Sequence, residues 1–289
     1  MLNNTKIFFK GSKTYFTSSL FFPKKIRENV FTLYAFVRIA DDYVDQAKQN
    51  PQKIKQFKKL YKDAESGRET SEIVINNFIK LKKEKGFAKK WIDAFLEAMI
   101  QDTKKSEYST IDESIEYMYG SAEVIGLMMA CVMDLDEKSH KYARLLGRSM
   151  QYANFIRDID EDNMLGRQYI PTKMLKKYRL KNLYKEHIEH NQNNFNKLIR
   201  GEIKRFKKWQ EEAEEGFAYI PKRYLVAIKT ASDMYKWTIN QIEKDPMIIY
   251  KKKVKPSRSF ILYTALKNMI STHHYSFLPY VFLYTNTIT

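Results

Sequence analysis

The chain has 289 residues, with 51 Lys and Arg against 34 Asp and Glu, a formal net charge of +17, and 44% hydrophobic residues. That apolar share supplies a sizeable core. The positive excess excludes an overall acidic surface and suits phosphate-bearing partners: nucleic acid, an anionic membrane or a small diphosphate. One cysteine, Cys131, cannot form an internal disulfide, and its apolar surroundings predict a buried small hydrophobe.

The N-terminal MLNNTKIFFKGSK carries no continuous apolar run, so no secretory signal is expected. Apolar residues then recur at three- and four-residue spacing over 25–47, 52–65, 71–83, 87–103, 111–134, 137–163, 192–215, 217–243 and 257–271. Pro51, Ser66-Gly67, Gly86, Gly166, Pro221 and Pro246 punctuate them, and alternating strand patterns are nearly absent. This predicts an all-α bundle. Nine Gly and seven Pro are spread without a linker, so one domain over 1–289 is expected, with a core from about 10 to 270 and an apolar tail over 275–289. No segment is expected to reach the roughly 18 apolar residues of a membrane span.

The run KKKVKPSR, Lys251 to Arg258, reads as a basic loop. With Lys204, Arg205, Lys207 and Lys208 it could face anionic lipid. A nucleic-acid partner is not expected, because no docking motif accompanies the charge. The sequence sets no oligomeric state.

Two acidic clusters interrupt this basic chain: ADDYVD at 40–45 and RDIDED at 157–162. On a helix, Asp41 and Asp45 share one face, with Arg38 beside them. In the second cluster Gln151, Asn154, Asp158 and Asp162 form one stripe within roughly 80° of arc. Glu161 sits on its shoulder, while Arg157 and Asp160 are expected to point further away. A solvated face would mix acids with bases at attracting spacings; this stripe carries only amides and carboxylates. A solvated acidic patch could explain either cluster alone. Two such stripes facing each other would hold Mg²⁺ with phosphate between them, since hard oxygen donors without His or Cys favour Mg²⁺ over Zn²⁺.

YAFVRIADDYVD resembles the first aspartate-rich motif of squalene and phytoene synthases, and QYANFIRDIDEDNMLGRQYIP resembles their second, QxxNxxRDxxEDxxxGRxYxP. Each fixed position is present: Gln151, Asn154, Arg157, Asp158, Glu161, Asp162, Gly166, Arg167, Tyr169 and Pro171. GSKTYFTSSLFFP resembles the family's diphosphate-binding N-terminal segment, and YMYGSAEVIGLMM its tunnel-lining helix.

The resemblance implies an isoprenoid-synthase-type helical bundle around a central cavity. It implies a prenyltransferase joining two allylic prenyl diphosphates head to head through a cyclopropylcarbinyl diphosphate. Asp41, Asp45, Asp158 and Asp162 would hold Mg²⁺, or Mn²⁺ in its place. Arg38, Arg157, Arg167 and Lys13 would neutralise the diphosphates, and Ser12, Thr14, Gln151 and Asn154 would bind substrate. Tyr34, Phe36, Tyr117, Tyr119 and Tyr169 would supply aromatic walls, Tyr169 foremost. Glu123 stands where many relatives carry Gly; it is either buried and paired or aimed at the metals.

For the product, small Ser19 and Ala122 with adaptable Leu127, Met128 and Met129 favour geranylgeranyl diphosphate and phytoene. Farnesyl diphosphate, giving dehydrosqualene or squalene, is the alternative. NADPH is not expected. A non-catalytic relative serving as a membrane-associated assembly protein is the other reading, which the intact acidic motifs disfavour. The expected location is cytoplasmic with peripheral membrane contact.

Overall fold

The computed structural model describes residues 2–44, 51–68 and 70–274. Asp45 and the tail 275–289 lie outside the described residues. In chain order the helices are α1 (Leu2–Gly11), α2 (Lys13–Ser19), α3 (Lys24–Asp42), α4 (Pro51–Glu65), α5 (Ile73–Lys85), α6 (Lys89–Gln101), α7 (Ile111–Met118), α8 (Val124–Val132), α9 (His140–Arg157), α10 (Ile159–Met164), α11 (Thr172–Lys177), α12 (Lys185–Glu189), α13 (Gln192–Glu214), α14 (Lys222–Lys244) and α15 (Arg258–His274). No strand occurs among the described residues; an isolated bridge joins Glu107 and Gln168. The all-α expectation holds. α1, α2, α11 and α12 were not anticipated, being too short for a clear apolar period.

Local chemistry sets the helix ends. Thr110 caps α7 by accepting from the Glu113 N–H at 3.2 Å, and Glu113 accepts from the Ser109 N–H at 3.0 Å. Asp112 and Glu113 in that first turn complement the positive end of the helix. α5 stops at Gly86, whose φ of +67° suits glycine.

The long segment expected over 137–163 is divided. α9 ends at Arg157, Asp158 takes φ −100° and ψ 14°, and α10 begins at Ile159. Gly166, at φ +68°, then turns the chain so that the Arg167 N–H donates to the Asp162 carbonyl at 2.8 Å.

α9 is packed between α8 and α13. Gly126 and Gly147 permit its approach to the tunnel-side segment. A Cβ on Gly126 would lie 2.1 Å from the Ala143 carbonyl oxygen, and one on Gly147 would lie 2.5 Å from that of Ala122. Away from this seam, α3, α4, α5 and α6 lock through aromatic rings, with Phe36 stacked on Phe78 at 3.7 Å. One buried hydrophobic cluster runs from Phe8 in α1 to Val254 beyond α14.

α7 and α8 are joined by a π-helical turn, Tyr119–Glu123. The combined Ile111–Val132 rod is long and apolar enough to cross a membrane, which corrects the expectation that no segment approaches a span. It is a core element here, with 61% of its apolar window buried in the protein and a buried carboxylate, Glu123, within it. Cys131, expected buried, is half-buried at the edge of the core.

Candidate active site

A cavity of about 920 Å³ runs between α2, α3, α8, α9 and α14. Asp41, at the end of α3, and Asp158, just past the end of α9, line it together with Glu161 and Asp162. Both helices therefore bring the negative ends of their dipoles, with their carboxylates, to one end of the cavity. Backwards along α3 the lining becomes Leu33 and Val30, and along α9 it becomes Leu146 and Ala143. At 1.5 Å rise per residue, Val30 is roughly 16 Å from Asp41 and Ala143 roughly 22 Å from Asp158. The cavity is thus polar at one end and apolar along its depth.

Cations pair with the acids. Arg38 pairs with Asp41 at 3.2 Å and Asp42 at 2.5 Å. Arg157 grips Asp158 with two bonds of 2.8 and 2.5 Å. Lys253 lies 3.4 Å from Asp158 and also pairs with Glu161. Burial pushes the Asp158 carboxyl up, but the Arg157 bonds and the charges of Arg157 and Lys253 outweigh it, holding the group below the usual carboxylate range. Lys255 is lowered by burial and then by Lys253 and Arg157, so positive charge is crowded at this end. An incoming anion relieves that crowding.

Arg157, expected to point away from the stripe, lines the cavity beside Asp158. Arg157 is still within α9, only about 60° round from Asn154, and its long side chain reaches forward to Asp158. Asp160 does not line the cavity. Ser12, Thr14, Gln151 and Asn154 do. Ser12 also caps α2, its hydroxyl oxygen accepting from the Tyr15 N–H at 3.2 Å. Lys13 opens α2 with its backbone; its side chain lies outside what is described. Arg167 is buried and donates to the Val44 carbonyl, bracing the chain just before Asp45 as well as bordering the cavity.

Among the expected aromatic residues, Tyr34, Tyr117 and Tyr169 line the cavity. Phe36 does not: two positions from Tyr34 and from Arg38, it is about 200° round the helix from each and is buried against Phe78. Tyr119 likewise turns away from Tyr117 and packs under the Arg144 guanidinium at 5.2 Å. Ser19, Ala122 and Met129 line the cavity as expected, whereas Leu127 and Met128 are buried outside its lining.

The structure adds groups that the sequence did not single out. Buried Asp102 accepts from Tyr117 Oη at 2.5 Å and Tyr169 Oη at 3.2 Å. Tyr169 stacks on Phe155 at 4.3 Å, forming a rigid aromatic wall. On the opposite side, Tyr15 and Tyr235 share a hydrogen bond of 2.5 Å. Burial, followed by the Tyr235 contact, raises Tyr15 well above the ordinary tyrosine value, so it stays protonated. Lys253 and Lys255, read in the sequence as part of a lipid-facing loop, turn toward this site. In the other basic group assigned to lipid, Arg205 pairs with buried Glu202 at 3.0 Å and Lys207 with Glu243 at 2.7 Å.

Glu123 is buried and paired. Arg144 Nε donates to one carboxylate oxygen at 2.9 Å and Arg148 Nε to the other at 2.6 Å. This fixes the π turn to α9 and removes Glu123 from the list of candidate metal ligands.

Among the described residues, no group of three or more His, Cys, Asp or Glu converges tightly enough to cage a metal. The donors nevertheless fit a hard cation of the Mg²⁺ type, which takes one or two carboxylates and completes its shell with water and phosphate. They are oxygen donors, and the buried Asn154 Oδ1 at the same end has no hydrogen-bond donor.

The model of the family described as squalene/phytoene synthase matches residues 9–259. The chain is 30% identical over 240 residues to 15-cis-phytoene synthase from Pantoea ananas, covering 78% of this chain and 77% of that protein. By structure it resembles a dehydrosqualene synthase crystallised with a ligand, with TM-score 0.77, 20% identity and 95% of each chain covered. It also resembles squalene synthase HpnC from Alicyclobacillus acidocaldarius, with TM-score 0.74, 20% identity and coverage of 83% of this chain and 92% of that one. With its acidic motifs brought to one cavity end, this chain belongs to the squalene/phytoene synthase family and is a prenyltransferase.

Proposed function

We propose that the protein condenses two molecules of geranylgeranyl diphosphate head to head into phytoene. The observation that carries this reading is the convergence of Asp41 and Asp158 on one end of a cavity that is apolar along the rest of its length. The family supports the reaction class, and the 30% identity to a phytoene synthase supports the C20 substrate. The cavity also continues past Ala122 to Ala213, Gly216 and Ile220, giving a longer chain room.

In this reading the diphosphates lie at the polar end. Arg38, Arg157, Lys253 and Lys255 neutralise them, and Ser12, Thr14, Gln151 and Asn154 supply hydrogen bonds. Asp41, Asp45, Asp158 and Asp162 would hold Mg²⁺, which when bound withdraws electron density from diphosphate oxygens. The C1–O bond of one substrate breaks with its electron pair leaving on diphosphate. The alkene of the second attacks C1, and loss of a proton closes the cyclopropane. The second C1–O bond then breaks, the skeleton rearranges and a second proton is lost. Tyr34, Tyr117 and Tyr169 present ring faces to the cations, and the apolar walls keep water from quenching them.

Product release into a lipid phase and a cytoplasmic, peripherally membrane-bound location belong to the same proposal. Incubation with either geranylgeranyl or farnesyl diphosphate and Mg²⁺, followed by mass identification of the hydrocarbon, tests it. A C40 product supports the assignment; C30 product from farnesyl diphosphate alone replaces it with the dehydrosqualene reading.

A further inference from the structure

The last described helix is two-faced in an unusual sense. Its inner face packs on α14 and α2 through Ile261, Thr264, Ala265 and Asn268, all buried, and Asn268 Nδ2 donates to Asp233 at 2.8 Å. Its outer face is apolar as well. Leu262, Tyr263, Leu266, Met269 and Ile270 are 39 to 63% exposed, at spacings that place them along one side of α15. Large apolar side chains grouped in this way mark an interaction surface rather than ordinary exposure.

The sequence that carries this stripe and the loop before it is basic, with Asp233 and Asp245 the acids packed beside it. No Asp or Glu occurs after Asp245, while Lys251, Lys252, Lys253, Lys255, Arg258 and Lys267 all do. Arg258 continues the patch at the start of α15, its guanidinium 5.4 Å over the ring of exposed Phe9. The basic loop also borders the cavity through Lys253, Lys255 and Pro256. The patch and the polar mouth of the site are therefore joined by one short segment.

We infer that the outer face of α15 and the basic loop before it dock on an anionic lipid bilayer. Apolar side chains enter the boundary of the acyl region while exposed Lys252, Arg258 and Lys267 meet lipid phosphates, the two contributions that bind interfacial helices. A second copy of this chain fits less well, because pairing these faces would bring two basic loops together on a chain already at +17. The inference deepens the proposed lipid-phase location and does not depend on which prenyl chain is condensed. It places the site where a lipid substrate and a hydrocarbon product are at hand.

Co-sedimentation of the full chain with vesicles of phosphatidylcholine alone, or mixed with phosphatidylglycerol, reads the proposal directly. Wild type is expected to pellet with the anionic vesicles and to be released by salt. Leu266→Glu/Ile270→Glu should weaken that binding by about a hundredfold, by removing two exposed apolar side chains that enter the bilayer on docking. Lys252→Glu/Lys267→Glu should weaken it about tenfold or more, with a reduced salt response. Diphosphate release in detergent should stay unchanged in both. Should the first variant lose its helical circular dichroism, the second, altered only at exposed positions, carries the test. Undiminished vesicle binding by the variants that remain folded would overturn the proposal. So would a dimer dissolved by Leu266→Glu/Ile270→Glu without vesicle binding. Loss of binding on Val281→Glu/Leu283→Glu but not on the α15 changes would assign docking to the tail instead and overturn it equally.

Discussion

Asp41 and Asp158 stand far apart in the chain, yet each sits where a cavity-lining helix ends, and each is held by an arginine of its own motif. Arg38 and Arg157 orient the two carboxylates before any ligand arrives, and Arg157 with Lys253 holds Asp158 below the usual carboxylate range. In the proposed reaction the acids would serve a cation and the arginines a diphosphate at the same cavity end.

Replacing either acid should remove this function without unfolding the bundle. Asp41→Asn and Asp158→Asn are each expected to lower kcat by about a hundredfold or more, the scale of losing one well-placed electrostatic group. Far-UV circular dichroism should retain the helical signal. Turnover within a few-fold of wild type would remove that residue from the site.

Chelation should act on chemistry and not on folding. EDTA is expected to abolish diphosphate release and added Mg²⁺ to restore it, while the substrate-free melting temperature is unmoved. Full activity after exhaustive chelation would contradict the assignment of Asp41, Asp158 and Asp162.

The Arg157–Asp158 pair also predicts a pH dependence. Because the folded-state pKa of Asp158 is depressed, its contribution to stability is present above the unfolded value of about 3.9 and is lost as pH falls through the lower folded value. Melting curves should therefore show wild type above Asp158→Asn near neutrality, with the gap closing in acid. A gap that widens toward low pH would mean that Arg157 does not stabilise the carboxylate.

Glu123 gives a stability test remote from the diphosphate end. Glu123→Gln leaves two arginines without their shared buried counter-ion and should cost about 3 kcal/mol in denaturant unfolding. A cost below about 1 kcal/mol, the range of a surface pair, would show that the clamp is dispensable.

Chain-length preference should follow the tunnel wall. Ala122→Leu adds bulk to the lining and is expected to lower kcat/KM for geranylgeranyl diphosphate relative to farnesyl diphosphate by about tenfold or more. An unchanged ratio would move the length-determining wall elsewhere.

Sequence periodicity revealed the long helices because an apolar face must repeat every three to four residues. It also singled out Asp41 and Asp158, since acids clustered on apolar helices repel unless a cation joins them, and both line the cavity. It did not reveal the turn at Asp158, which breaks the period inside a motif, nor that Arg157, at the end of α9, lines the cavity beside Asp158. Phe36 and Tyr119 were grouped with Tyr34 and Tyr117 by proximity, although two residues along a helix carry a side chain to the far side. Asp102, Tyr15, Tyr235, Lys253 and Lys255 come from four separate segments, and only tertiary packing brings them together. Asp102 had no local signal at all: a lone acid before a turn looks solvated until Tyr117 and Tyr169 are seen to donate to it.

The most direct test of the central claim is the product formed from geranylgeranyl diphosphate by wild type and Asp158→Asn, side by side, with Mg²⁺ and without NADPH. The account predicts a C40 hydrocarbon and diphosphate release from wild type and neither from the variant. A wild type that releases no diphosphate from any prenyl diphosphate, or a variant that makes the same product at the same rate, would contradict it.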